Sequence, residues 1–230
     1  MAEISIRFEA SIGLNKEMVR QFSVRYESVV TTRGLADPRE RMSVKAVDYA
    51  IELHGSIAHL FAIGRRGSAA ALLRALLESS LNCLYLLHLS DLEYARKLDL
   101  GESTLPDSSS KVFDACARLP LIGDYIKMVV GSKGNREQME YFHKLAHGDT
   151  EQLNRRKFDH QEAAFKDEEV RGFLLMADFL LLAVMDTFSH AVGDMDFGNE
   201  IRARRNELID IYHVQVPEDD PRSPAPVWRV

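Results

Sequence analysis

The chain has 230 residues, of which 46% are hydrophobic and 28% charged, and a formal net charge of −6. That composition supplies one large core under a charged surface. The acidic balance excludes general, charge-driven attraction to nucleic acid or anionic lipid and leaves only local basic patches for such contacts. Cys83 and Cys116 sit in apolar helical patterns and neither belongs to a CxxC pair, which points to a reducing compartment and against disulfides or a thiolate zinc site.

The first ten residues lack a basic start followed by an apolar run, so no signal peptide is expected and the chain reads as cytoplasmic. Residues 2–12 set Ile4, Ile6, Phe8, Ala10 and Ile12 against polar neighbours. This period of two predicts a short strand. With no partner strand in view, an extended arm or pairing across a dimer are the alternatives. Residues 14–32 read as a helix.

Asp37-Pro38-Arg39-Glu40 is a helix start: Asp37 caps, Pro38 suits the first turn and Glu40 completes a capping box. This helix is expected to run to about Gly64. A turn at Arg65-Arg66-Gly67-Ser68, with Ser68 as the cap, leads into a second helix over 69–88. A short turn between two long helices predicts an antiparallel hairpin. Residues 98–110, with Gly101 and Pro106, read as a loop, followed by short helices near 109–118 and 121–131. A break at 132–135 precedes a helix over 136–147, capped by Asn135 and ended by Gly148. Long helices are expected over 167–193 and 196–212. The most apolar stretch, 173–184, contains Asp178. It falls short of the roughly 20 residues that a membrane span needs, so it reads as a buried core helix and no membrane association is expected. Four of the seven prolines follow Gln215, which makes 215–230 a flexible tail. The expected architecture is therefore all-α. It is a single domain over 1–214, with its core at about 38–212, built as an antiparallel bundle of four to five long helices plus short ones.

Three constellations carry candidate chemistry. On the 136–147 helix, at about 100° per residue, Arg136, Glu140, His143 and His147 share one face. A guanidinium can clamp a phosphate and a histidine can move a proton near neutral pH, so this face suits phosphodiester chemistry. A plain polar helix face is the alternative. On the 69–88 helix, Arg74, Glu78 and Asn82 recur every four residues among Leu and Ala. Either they form a structural ion pair that sets helix register, or the stripe faces His143 and His147 as the second wall of a pocket. Asp178, Asp186 and His190 form a third stripe, with Asp48, Glu52, His54 and His59 as further ligand-type residues. Glu140-x-x-His143 has the spacing of di-iron bundles, but those need two such motifs and two more glutamates. The chain holds one, so neither metal nor cofactor is expected. Basic clusters at Arg65-Arg66, Arg155-Arg156-Lys157 and Arg202/Arg204/Arg205 read as solvated faces.

Arg136 and His143, with six residues between them near the start of a late helix, resemble the signature of the HEPN-type helical proteins of prokaryotes. The Arg74–Glu78–Asn82 helix followed by His-Lys-Leu-Ala-His147-Gly148 resembles uncharacterised bacterial relatives of that group. The resemblance covers about residues 38–195. It implies metal-independent RNA cleavage, or RNA binding alone, in a defence, stress or toxin–antitoxin-like setting. His143 would move the proton of the ribose hydroxyl or leaving oxygen, and Arg136 would stabilise charge on the phosphorane. His147 and Lys144 would support electrostatically, and two chains would meet as a homodimer. One departure is Glu137, an acid directly after the arginine where active members carry a small polar residue or His. A non-catalytic interaction or regulatory protein, with a protein partner, is the main alternative. A metal- or small-molecule-binding bundle is the second.

Overall fold

The computed structural model describes residues 2–106, 109–119, 141, 143–146 and 165–215, the side chains of 2, 3, 109, 110 and 209–215 aside. Helix is the only regular structure among the described residues. It comprises α1 (Ala2–Thr32), α2 (Pro38–Ala62), α3 (Arg66–His88), α4 (Leu92–Asp99), α5 (Ser109–Cys116), α6 (Asp167–Val192) and α7 (Met195–Gln215). Residues 143–146 are helical as well. The expectations for 121–131 and 132–135, most of 136–147, and Pro217 and the rest of the tail from residue 216 lie outside the described residues.

The N-terminal alternation does not form a strand or an arm: residues 2–12 are the first turns of α1. The pattern was ambiguous because Ile4, Phe8 and Ile12 are spaced by four and satisfy both periods. Ile4 is buried, Phe8 and Ile12 pack half-buried on the core, and Ile6 is 66% exposed. A helix also satisfies its own backbone groups, which an unpartnered strand cannot do. Leu14 and Met18 continue the buried seam, so the core reaches back to residue 4.

Asp37 caps α2 from an extended conformation, accepting from Arg39 N at 2.8 Å, with Pro38 in the first turn. Glu40 does not close a box there; its carboxylate pairs with Arg33 at 3.5 Å. The turn into α3 is tighter than the spacing predicts. Gly64 takes φ +79, Arg65 is the capping position without a side-chain bond, and Ser68 lies inside the helix. α2 and α3 pack as an antiparallel hairpin. Ser43 Oγ donates to Cys83 O, and Ser79 Oγ to Ala46 O, each at 2.9 Å. α4, capped by Asp91, covers 92–97, where no element was expected, and runs two residues into the expected loop.

α6 is the centre of the bundle and packs against α1, α2, α3 and α7. Leu174, Met176, Leu181, Leu182, Met185 and Phe188 are fully buried on all sides of it, as expected for a helix apolar around its circumference. It ends at Gly193, whose φ of +73 is the left-handed C-terminal conformation that glycine adopts freely. α3 and α6 are long and apolar enough to cross a bilayer by length and composition, and 94% of the apolar window of α6 is buried inside the bundle.

Candidate functional site

α3 is a core helix on most of its surface: Leu73, Leu76, Leu77 and Leu81 are buried. The spacing of four places Arg74, Glu78 and Asn82 on the one stripe that is not. Arg74 Nε donates to Glu78 Oε1 at 2.9 Å, with side chains 21% and 33% exposed. An Arg and a Glu one turn apart on a half-buried face satisfy each other in this way. Opposite them lies the helical segment 143–146. Leu145 is fully buried and anchors it, and Tyr141 packs against the core. That anchor presents His143 at the surface with its Nδ1 accepting from Arg74 Nη1. Lys144 is half-buried beside it.

Arginine has no acceptor and does not deprotonate in proteins. In the Arg74 contact the accepting lone pair therefore belongs to His143 Nδ1. Below the pair opens a cavity of about 380 Å³ lined by Arg74, Glu78, Leu81, Asn82, Leu105, Pro106 and Val112. Arg74, Glu78 and Asn82 form its polar wall. Leu105, Pro106 and Val112 form an apolar wall that sequence reasoning missed. The only signal available was an apolar Leu-Pro pair inside an otherwise polar loop. Arg136, Glu140 and His147 lie outside the described residues.

The remaining candidates separate into two networks. Asp178 faces α1 and α2. Its Oδ1 bonds His54 Nε2 at 2.8 Å, and its Oδ2 accepts from Ser11 Oγ at 3.0 Å and from Arg7. Although Ser, His and Asp meet here, the serine bonds the carboxylate rather than the imidazole. The nucleophile–base contact that activates a hydroxyl is therefore lacking. Asp186, two turns on, faces α7 and takes Arg202 at 2.5 Å and Arg205 at 3.2 Å. His190 lies 3.8 Å from Asp186 and edge-on to His88, with ring centroids 5.8 Å apart. Burial, then the neighbouring His190, holds the His88 pKa below its ordinary value, with Asp186 opposing. The third stripe is thus split between two interfaces.

Asp48, Glu52 and His59 are exposed on α2. Among the described residues no group of three His, Cys, Asp or Glu side chains converges as a metal site. Several members of the basic clusters are paired. Arg66 bonds Asp167 at 2.8 Å and Arg204 bonds Glu17 at 2.6 Å, while Arg155, Arg156 and Lys157 fall outside the described residues.

A second cavity of about 290 Å³ lies between α1 and α2, where Phe22 stacks on Tyr26 above Val30, Leu35 and Val44. Its polar rim includes Arg41 and Lys45, both bound to Asp99. Comparison with known proteins finds no matching family model, no similar curated protein and no similar solved structure.

Proposed function

We propose that the chain is a HEPN-like protein that cleaves RNA without a metal, or binds it, and that it works as a cytoplasmic homodimer in a defence or toxin–antitoxin-like setting. The contact of Arg74 with His143 beside a partly polar cavity carries this reading. A planar guanidinium suits a phosphodiester, and an imidazole next to it suits transfer of a ribose proton. Asn82 offers the cavity both a donor and an acceptor, the pair needed to recognise a base edge. Arg136, Glu140 and His147 would complete the face that the helical spacing predicts.

The test is incubation of wild type and His143→Ala with a mixed RNA pool in the presence of EDTA. Cleavage by wild type and its loss in the variant is the expected result. Intact RNA in both lanes would turn the assignment toward a non-catalytic interaction protein. That second reading is favoured by the Glu78 carboxylate already bound to Arg74 and by the net charge of −6, since both oppose a polyanion.

A further inference from the structure

Resting on the RNA-cleaving reading, we propose that Arg74 masks the proton-accepting nitrogen of His143 until a phosphodiester draws the guanidinium away. Three contacts lead there. Arg74 Nε is held by Glu78 Oε1 at 2.9 Å. Its Nη1 donates to His143 Nδ1. Arg74 and Glu78 stand at the polar wall of a cavity that also holds Asn82, and His143 reaches it only through its contact with Arg74.

A neutral imidazole is a base only through its unprotonated nitrogen, and here Arg74 occupies that nitrogen. The protonated Nε2 cannot take a second proton, so His143 in this geometry is a hydrogen-bond donor and not a base. An anionic phosphate offers the guanidinium an opposite charge and a two-pronged acceptor, neither of which the imidazole nitrogen supplies. A phosphodiester entering the cavity therefore competes with the imidazole on favourable terms, opposed by the Glu78 carboxylate. Because Nε stays on Glu78, only the far end of the guanidinium has to change partner. The exchange moves Arg74 onto the phosphate and releases Nδ1 from the guanidinium, beside the place an adjacent ribose hydroxyl would take.

The proton ledger then closes within the site. The 2′-hydroxyl gives its proton to Nδ1 as its oxygen attacks phosphorus. The bond from phosphorus to the 5′-oxygen breaks, and the imidazolium returns a proton to that leaving oxygen. The products are a 2′,3′-cyclic phosphate and a 5′-hydroxyl, with His143 neutral again. Glu78 is a positioning residue in this scheme, since it holds the pivot of Arg74 and touches no reacting atom.

The experiment has a spectroscopic and a kinetic arm. Protein labelled with ¹⁵N at histidine is read by long-range ¹H–¹⁵N spectra, with His143 assigned from its loss in His143→Gln. The expected wild-type spectrum has the proton on Nε2 and a bare, hydrogen-bonded Nδ1. Arg74→Gln should show the proton shared between the two nitrogens. Inorganic phosphate should move the wild-type Nδ1 resonance toward that of the variant and leave the variant unmoved. Arg74→Lys, which lacks the two-pronged geometry, is the second variant, and matched backbone amide spectra establish that each is folded.

In the RNA assay Arg74→Gln should cleave about 100-fold more slowly than wild type, the scale for losing one charge-stabilising donor. Identical His143 resonances in wild type and both folded Arg74 variants would overturn the masking, as would a wild-type spectrum indifferent to phosphate. RNA cleavage unaffected in Arg74→Gln would overturn it while leaving the ribonuclease reading intact. An uncleaved RNA pool combined with Arg74- and phosphate-dependent resonances would remove the ribonuclease reading and support the mask.

Discussion

Asp178 binds three side chains from two other helices with its two oxygens: Arg7 and Ser11 of α1 and His54 of α2. His54 is fully buried and Asp178 is 2% exposed. An ionised carboxylate only accepts, so His54 Nε2 carries the proton. Its Nδ1 is buried without a hydrogen-bond partner, as is Arg7 Nε. The network is thus neither fully satisfied nor easily dismantled. Removing the carboxylate strands a buried imidazole and a mostly buried guanidinium. Asp178→Ala is expected to lose about 3–5 kcal/mol of stability, the usual consequence of breaking a buried pair from one side. Urea unfolding followed by circular dichroism measures it, and a loss below about 1 kcal/mol would mean that water reaches the network. The burial of Asp178 was legible in the sequence, but its partners were not. His54 and Asp178 are 124 positions apart and Arg7 and Asp178 are 171 apart, and helical spacing says nothing about which neighbour a polar residue in an apolar helix will meet.

At the scale of elements, local chemistry was legible where the chain punctuates itself. Asp37-Pro38 and Gly64 bracket α2, and the spacing of four on α3 singled out Arg74, Glu78 and Asn82. Periodicity failed where two periods coincide, as at Ile4, Phe8 and Ile12. α4 shows a different failure. Its Asp91 cap was present in the sequence, but the helix is only eight residues long and is held mainly from outside. Asp99 at its end binds Arg41 Nη2 and Lys45 Nζ of α2, each at 2.8 Å. The hydrogen bonds from Lys45 and then Arg41 hold its carboxyl below the ordinary carboxylate range. A depressed folded-state pKa adds stability above the unfolded value, about 3.9 for Asp, and that contribution is lost as pH falls through the folded value. Asp99→Asn should therefore melt below wild type at pH 7, with the gap closing under acid. Melting temperatures of both proteins between pH 7 and pH 2.5 check this. A gap that persists at the acid end would assign the effect to geometry instead of charge.

Across the whole molecule, an all-α bundle followed from composition and helical periods, and the apolar 173–184 stretch marked a buried core helix, but which helices pack around it did not follow. Nothing in the order of segments announces that α6, sixth of the seven named helices, is the one the others surround. Both cysteines face that interior. Burial pushes the Cys83 thiol far above its ordinary range and the Cys116 thiol up to about 12. Only the thiolate is nucleophilic, so neither should react with an aromatic disulfide reagent at pH 8 in the native state. The two thiols should appear together in denaturant, at a rate that follows loss of helix. Early, separate labelling of Cys116 would show that α5 opens on its own.

The central position of α6 also bears on how the protein is made. A ribosome delivers α1, α2 and α3 well before residues 167–192 emerge, at roughly 5–20 residues per second. For those seconds α1, α2 and α3, each of which packs on α6 in the finished bundle, lack that neighbour. The nascent chain is a hairpin and an N-terminal helix with open apolar faces, the kind of surface that chaperones bind. A chain cut before residue 165 would lack α6 and is expected to expose those faces rather than to fold as a smaller domain.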